Sequence, residues 1–397
     1  MIDNYLFTSE SVTEGHPDKL CDQISDAVVD HFLMLEPTSQ VRCECAVSGA
    51  IVFIAAHFAS TITVDFTHLA RKVIKRIGYD QPDFNPKTCS ILTSPKATPI
   101  VESNCFDERN LSESEIDRVR AKNPVTVFGF AVNESPMLMP LPIFLANRLT
   151  RQLTRMRKEA RLPYLMPDGK VQVGVEYKKR MPFRIHSINM DVHTRHPDKP
   201  DGRTLKQDLV ETVITPVFTG LDISPDEKTF IAINPDGPYL GGPLHHSGLT
   251  GRKNAVDTYG EYARQSSKAL SGKDPMRVDR ISAYAARYAA KNIVAAGLAT
   301  TCEVMVSYAT GFAKPVSLIV NTFGTGHDSD RHLTELVRRR FEFRPAGILK
   351  AFELRRLPAR YPEGFFQRLS SYGHFGREDM DLPWEKTDMA DSLEALH

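Results

Sequence analysis

Gly15-His16-Pro17-Asp18-Lys19 puts a hinge residue, an imidazole, a helix-starting proline, a carboxylate and an ammonium into five consecutive positions. Proline at the first helical position misses no backbone N–H. Leu20, Ile24, Ala27, Val28, Phe32 and Leu35 then recur at helical spacing. His16, Asp18 and Lys19 therefore stand at a helix N-terminus, where free N–H groups and the macrodipole favour anions. A carboxylate that can hold a cation, flanked by two basic groups, suits a phosphate–metal complex. Capping preferences alone also place Asp and Pro in first turns, so this stretch by itself leaves both readings open.

Further candidates lie in short Gly- and Pro-bearing loops: Lys170 in P-D-G-K, Arg252 and Lys253 after the glycine-rich run 234–253, Lys273 in S-G-K-D, then Arg277 and Asp279. Glycine lets backbone approach a ligand closely while a neighbouring side chain projects into it. Many cations with two or three carboxylates make the inventory for a polyphosphate bound with a divalent metal. Solvated surface loops carry the same residue types. Neither a G-x-x-x-x-G-K-[ST] loop nor a strand followed by G-x-G-x-x-G occurs, so the two commonest nucleotide-binding folds are not supported.

The elements that must carry these groups can be read in order. After the first helix, 41–60 reads as two strands about Ser48-Gly49, and 65–77 as an amphipathic helix ended by Gly78. Residues 80–124 lack periodicity and read as a long loop or flap, part of which (93–124) could close over a site. Strands follow at 125–133, 171–177, 183–193 and 229–233, with helices at 142–161 and 204–217. The Ala-rich stretch 280–298 is a long helix, followed by strands at 303–310 and 315–321 and a helix at 330–341. Two antiparallel strands and a helix thus recur near 41–77, 171–217 and 302–341, which points to an α+β protein of three similar layers.

The chain has 397 residues, is 41% hydrophobic and 25% charged, and carries a net charge of +1, so no strong field marks a nucleic-acid binder. The basic face of 142–161 (Arg148, Arg151, Arg155, Arg157, Lys158, Arg161) reads as solvated surface. No apolar run is long enough for a membrane span, and M-I-D-N-Y-L-F lacks the regions of a signal peptide. Six scattered cysteines complete no zinc site, and a reduced cytoplasmic protein is expected.

Longer segments carry a resemblance. F-T-S-E-S-V-T-E-G-H-P-D-K (7–19), Q-I-S-D-A-V (23–28), G-L-T-G-R-K (248–253), V-D-T-Y-G (256–260), S-G-K-D-P (271–275), A-Y-A-A-R-Y-A-A-K-N-I-V-A-A-G-L-A (283–299), Y-G-H-F-G-R-E (372–378) and P-W-E-K-T-D (383–388) are ordered and mutually consistent. Over essentially its whole length the chain resembles the S-adenosylmethionine synthetases, or methionine adenosyltransferases. The resemblance implies three pseudo-symmetric α+β domains, over 1–104, 121–234 and 235–390. It also implies a homodimer, in places paired to a tetramer, with active sites shared between subunits. The implied reaction is attack of the methionine sulfur on C5′ of ATP, followed by cleavage of the released triphosphate to pyrophosphate and phosphate.

Residue by residue, the resemblance implies that His16 contacts the phosphate chain near the breaking bond and that Lys19 binds phosphate. Lys170, Arg252, Lys253 and Lys273 would bind and polarise the triphosphate. Asp168 and Ala269 would line the nucleotide site, and Tyr239 would stand against adenine. Asp18 and Asp279 would hold Mg²⁺, and Glu44 would sit by a K⁺ site, although Glu44 also reads as a plain strand-face carboxylate.

Departures from the family pattern cluster at the expected methionine end. His246 replaces an Asp in the glycine-rich run, Asn123 replaces an Asp before the 125–133 strand, and His57 stands where or beside where a Glu is expected. Asn104 pairs with a loop Gln, and Arg277 replaces a Lys, keeping charge but changing donor geometry. Losing carboxylates opposite an ammonium weakens binding, since a hydrogen bond to a charged group contributes roughly 1.5–3 kcal/mol. Methionine or an analogue is the expected acceptor. A different acceptor, a non-catalytic regulatory paralogue and triphosphate hydrolysis alone remain as alternatives.

Overall fold

A computed structural model of the chain describes residues 4–101, 105–195 and 200–395. The elements follow in order as β1 (Tyr5–Val12), α1 (Pro17–Leu35), β2 (Gln40–Ser48), β3 (Ile51–Ala59), α2 (Phe66–Ile77), β4 (Ser90–Ala97), β5 (Val125–Val132) and α3 (Leu141–Lys158). They continue with β6 (Leu165–Lys178), β7 (Met181–Thr194), α4 (Gly202–Leu209), β8 (Phe230–Ile233), β9 (Gly248–Leu249), α5 (Val278–Ala295), β10 (Thr301–Tyr308), β11 (Ser317–Asn321) and α6 (Asp330–Arg340).

The three expected hairpins are present: β6–β7 and β2–β3 lie at the centre of their sheets, while β10–β11 leaves β11 at a sheet edge. The orders are β1-β6-β7-β8, β4-β3-β2-β9 and β11-β10-β5. Each hairpin borrows one antiparallel strand from a distant part of the chain: β1 lies along β6, β5 along β10 and β9 along β2. The three units therefore interlock, and helices pack their apolar faces on the inner side of every sheet in one continuous core. The α+β class read from the sequence holds.

Local signals explain most element ends. Asp65 caps α2 by accepting the His68 amide, and Gly78 closes it in the left-handed conformation at φ 93°. Two readings need correction. Residues 80–124 are not a bare loop: β4 pairs parallel to β3 from Ser90 to Ala97, and a short helix forms at Glu113–Ile116. An exposed edge strand has no buried face to write a period into its sequence. Leu35, counted in the helical apolar spacing, falls off the buried stripe and is 57% exposed in the last turn of α1.

The basic face of α3 is ion-paired. Arg151 meets Asp379 at 2.6 Å, Arg155 meets Glu159 at 2.7 Å, and Arg157 and Lys158 both meet Glu14. The outer faces of the sheets expose large apolar side chains, among them Leu6, Ile51, Phe53, Phe183, Leu249 and Ile319. Among the described residues no helix is long and apolar enough to cross a membrane, and all six cysteines are free.

Candidate functional site

The turn from β1 into α1 is pressed from two sides. A Cβ on Gly15 would lie 2.4 Å from the Pro167 backbone, and one on Gly248 would lie 2.2 Å from the Pro17 carbonyl oxygen. Glycine at both positions lets the start of β6 and the loop after β8 close directly onto the helix N-terminus. His16 is the cap: its Nδ1 accepts the Asp18 amide at 3.2 Å. That bond assigns the ring proton to Nε2.

Around this terminus the structure gathers a first group of side chains. The Asp18 carboxylate is buried and accepts from the Leu249 amide at 3.0 Å and from Arg252 Nε at 2.8 Å. Lys253 pairs with Glu10 on β1 at 2.8 Å. Ala269 packs directly against Gly251, one residue before Arg252. Burial, then the charges of Lys253, Lys170 and His246, push the His16 pKa down to about 2, so the imidazole is neutral at ordinary pH.

Lys170 lies 5.6 Å from the centre of the Tyr239 ring, and that ring stacks on His246 with centroids 5.9 Å apart. Asp168 accepts from the Gly242 amide at 2.7 Å and from the Tyr239 hydroxyl at 3.4 Å, which fixes the loop that carries both rings. Burial raises the Asp168 pKa to about 6. His246, expected at the acceptor end, belongs to this group; its Nε2 also lies 3.1 Å from the Leu240 carbonyl.

Lys19 departs from its expected place. Its ammonium is fully buried beneath the terminus, 2.9 Å from Asp22 and hydrogen-bonded to Asp257. Burial works against its charge, but the two carboxylates more than offset this and hold its pKa above the usual lysine range. The same side of α1 carries Asp26, whose two oxygens both accept from Arg280 Nη2 at 2.6 and 2.7 Å, and Asp30, which accepts the Phe366 and Gln367 amides. Lys19 thus joins the network that fixes α1 within the core.

A second group assembles where α5 begins. Lys273 Nζ lies 3.4 Å from Asp279 Oδ1, and Asn123 Nδ2 donates to Asp279 Oδ2 at 3.0 Å. An Asp at position 123 would set two carboxylates in contact; the amide removes that repulsion. Lys273 bridges to Arg42 on β2, whose cross-strand partner on β3 is His57. Arg277 lies 3.8 Å from Asp274. Burial lowers the Lys273 pKa despite the Asp279 carboxylate. Among the described residues no hydrogen bond or ion pair joins the first group to the second. Asn104 lies outside the described residues.

Among the described residues no cluster of three or more His, Cys, Asp or Glu could cage a metal. Asp18 and Asp279 each offer one carboxylate. Mg²⁺ commonly takes one or two protein carboxylates and completes its shell with phosphate oxygens and water, and this donor set fits that mode rather than an all-protein site. Glu44 is exposed on the outer face of β2, 3.5 Å from Arg42, and a K⁺ ion there would need oxygens from beyond this face.

Sequence reading missed Glu10, Asp22 and Asp257, which hold Lys253 and Lys19. Asp22 carried a signal, three residues after Lys19 on one helix face. Asp257 and Glu10 are partners 238 and 243 residues away in the chain, and nothing local marks them.

The family described as S-adenosylmethionine synthetase matches the chain in three pieces: its N-terminal domain at 4–98, its central domain at 118–239 and its C-terminal domain at 240–386. The chain is 49% identical to the S-adenosylmethionine synthase of Gloeobacter violaceus, covering 98% of this chain and 97% of that protein. It is 48% identical to the Microcystis aeruginosa S-adenosylmethionine synthase over 100% and 99% of the two chains. The same-named Synechococcus elongatus protein is 47% identical over 99% and 98%.

Proposed function

The chain belongs to the S-adenosylmethionine synthetase family, and we propose that it transfers the adenosyl group of ATP to the sulfur of methionine, making S-adenosylmethionine. The triphosphate released is split to pyrophosphate and phosphate. The sulfur lone pair forms a bond to C5′ as the C5′–O bond breaks, and the electron pair leaves on the triphosphate. The nucleophile is neutral and the leaving group highly anionic, so rate comes from alignment and from positive charge along the phosphates.

One observation carries this reading: His16, Lys170, Arg252 and Lys253 converge on the N-terminus of α1. His16 keeps Nε2–H as a neutral donor because Nδ1 is engaged by the Asp18 amide. It stabilises the departing oxygen through a hydrogen bond without giving up its proton. Arg252 and Lys253 exchange Asp18 and Glu10 for phosphate oxygens on binding. Tyr239 and His246 form a stacked wall for adenine, beside Asp168. Magnesium would neutralise phosphate charge, with Asp18 and Asp279 as the residues to hold it; Glu44 would serve potassium.

A homodimer is part of the proposal, and a tetramer is compatible with it. The separation of Lys273, Asp279, Asn123, His57 and Arg277 from the first group supports a site completed by a second copy. The exposed apolar sheet faces offer the surface for that copy. Three contiguous domains remain our reading of the architecture, with the strand exchanges tying them together.

A non-methionine acceptor and a non-catalytic paralogue are not favoured, since relatives 47–49% identical along the whole chain carry the synthase name. The test is incubation with ATP, methionine, Mg²⁺ and K⁺, read by mass spectrometry. S-adenosylmethionine with equimolar pyrophosphate and phosphate is expected. No adenosylated methionine at any substrate concentration would overturn the proposal.

A further inference from the structure

Each sheet is built on a hairpin followed by a helix: β2–β3 then α2, β6–β7 then α4, β10–β11 then α6. In the first two units the chain leaving the helical stretch returns as a fourth strand, parallel to the second strand of its hairpin. β4 runs along β3 from Ile51↔Ser90 to Phe58↔Ala97, and β8 along β7 from Ser187↔Phe230 to Met190↔Ile233. The third unit lacks this strand, and its sheet ends at β11. The chain leaving α6 is extended at Phe341 (φ −116°, ψ 145°) and enters the next helix at Pro345 without pairing to β11.

A cavity of about 660 Å³ opens between the two, lined by residues 314–318 on one side and 338–344 on the other, with no β10 residue in its wall. It occupies the side of β11 where the other two sheets continue. Its apolar lining includes Val316, 59% exposed, and beneath it Leu318, Phe341 and Phe343, which are buried. Its charge is one-sided. Lys314, Arg338, Arg339, Arg340 and Arg344 face a single acid, Glu342. Arg338 pairs with Glu335, and Arg344 with Glu342, Glu113 and Asp117. Lys314, Arg339 and Arg340 have no ion-pair partner among the described residues.

Arginines at a helix C-terminus stabilise the macrodipole, which is reason enough for a basic last turn of α6. That does not account for Lys314 on the opposite wall, or for the gap left beside a sheet edge. An open edge offers backbone donors and acceptors to an extended segment, and side-chain pockets beside it set the sequence preference. Thr334 already caps the Val320 amide at 3.0 Å, so pairing is confined to the first half of β11 and suits a segment as short as β8.

We propose that the open edge of β11 receives an extended acidic peptide segment of a partner protein, as the strand the third unit lacks. The segment would alternate carboxylates, facing Lys314, Arg339 and Arg340, with apolar residues against Val316.

The test uses the full chain and a fluorescein-labelled probe of alternating Glu and Val, read by anisotropy and by hydrogen exchange. Binding should add protection within residues 316–318, above all at the Leu318 amide, since the Val316 and Val320 amides already donate to Ser307 and Thr334. Replacing Glu by Gln in the probe, methylating its alternate backbone nitrogens, or combining Arg339→Glu with Arg340→Glu should each weaken binding roughly tenfold or more. The double variant should keep wild-type unfolding temperature and adenosyl transfer, since neither arginine belongs to the proposed site. Equal binding of the N-methylated probe, or no added protection at 316–318, would leave ionic adsorption and overturn the strand. Full displacement by equimolar tripolyphosphate would assign a small-anion site instead. A change in the oligomeric mass of the double variant would assign the edge to a second copy of this chain.

Discussion

His16 Nδ1 accepts the backbone amide of Asp18 at 3.2 Å, and this one bond both starts α1 and sets the tautomer of the imidazole. The Nε2–H left free points chemistry toward hydrogen bonding rather than proton transfer. His16→Ala should lower kcat by about 10²–10³ while KM for ATP moves far less, the signature of a contact made mainly in the transition state. Steady-state kinetics decide this. An equal rise in KM with kcat unchanged would reduce His16 to a ground-state contact.

Two groups at the site pull folding stability in opposite directions with pH. His16 falls from an ordinary 6.5 to about 2, so the unfolded chain takes a proton that the folded chain refuses. Its share of stability is present above pH 6.5 and drains as pH falls below that. Asp168 rises from 3.8 to about 6, so its share is present below pH 4 and drains as pH rises through 6. Asp168→Asn removes only the second of these contributions. Relative to wild type, the variant should gain about 2 kcal/mol between pH 4.5 and pH 8 in urea unfolding. Parallel pH profiles of the two proteins would dismiss the buried carboxyl as the source.

Lys19 is expected to act on stability more than on phosphate. Removing it leaves Asp22 and Asp257 buried with no cation between them, and Lys19→Ala should cost about 3–5 kcal/mol of unfolding free energy. Denaturant titration measures it. A variant as stable as wild type that loses only ATP affinity would restore the phosphate-binding role.

The proposed sharing of sites between two copies predicts complementation. Arg252→Ala and Lys273→Ala should each be nearly inactive alone. After unfolding and refolding together in equal amounts, random pairing should recover about a quarter of wild-type activity, because half the dimers hold one unaltered site of two. No recovery, with mixed dimers demonstrated by mass, would put both residues in a site within one chain.

Asn123→Asp sets a second carboxylate against Asp279. In EDTA the variant should lose about 1–3 kcal/mol, and saturating Mg²⁺ should restore most of it. The melting temperature of wild type should change less between the two conditions. Equal Mg²⁺ dependence in both proteins would argue against a cation at Asp279.

The sequence by itself determined the local pieces and the family. Pro17 and Asp65 announced helix starts, Gly78 a helix end, and Ser48-Gly49 a hairpin, since each signal lies within a few residues of what it controls. The ordered segments from 7–19 to 383–388 identified the chemistry. Only the tertiary structure decided which side of α1 is buried. Nothing local marks Lys19, Asp22, Asp26 and Asp30 as buried, and only Asp257 and Arg280, more than 200 residues away, make that face of α1 core. It also decided that β1 joins β6, that β9 joins β2, that the site residues divide into two groups, and that among the described residues no strand continues its sheet beyond β11. Periodicity records how a segment repeats along itself. What packs against that segment is set by partners distant in the chain, which no local pattern encodes.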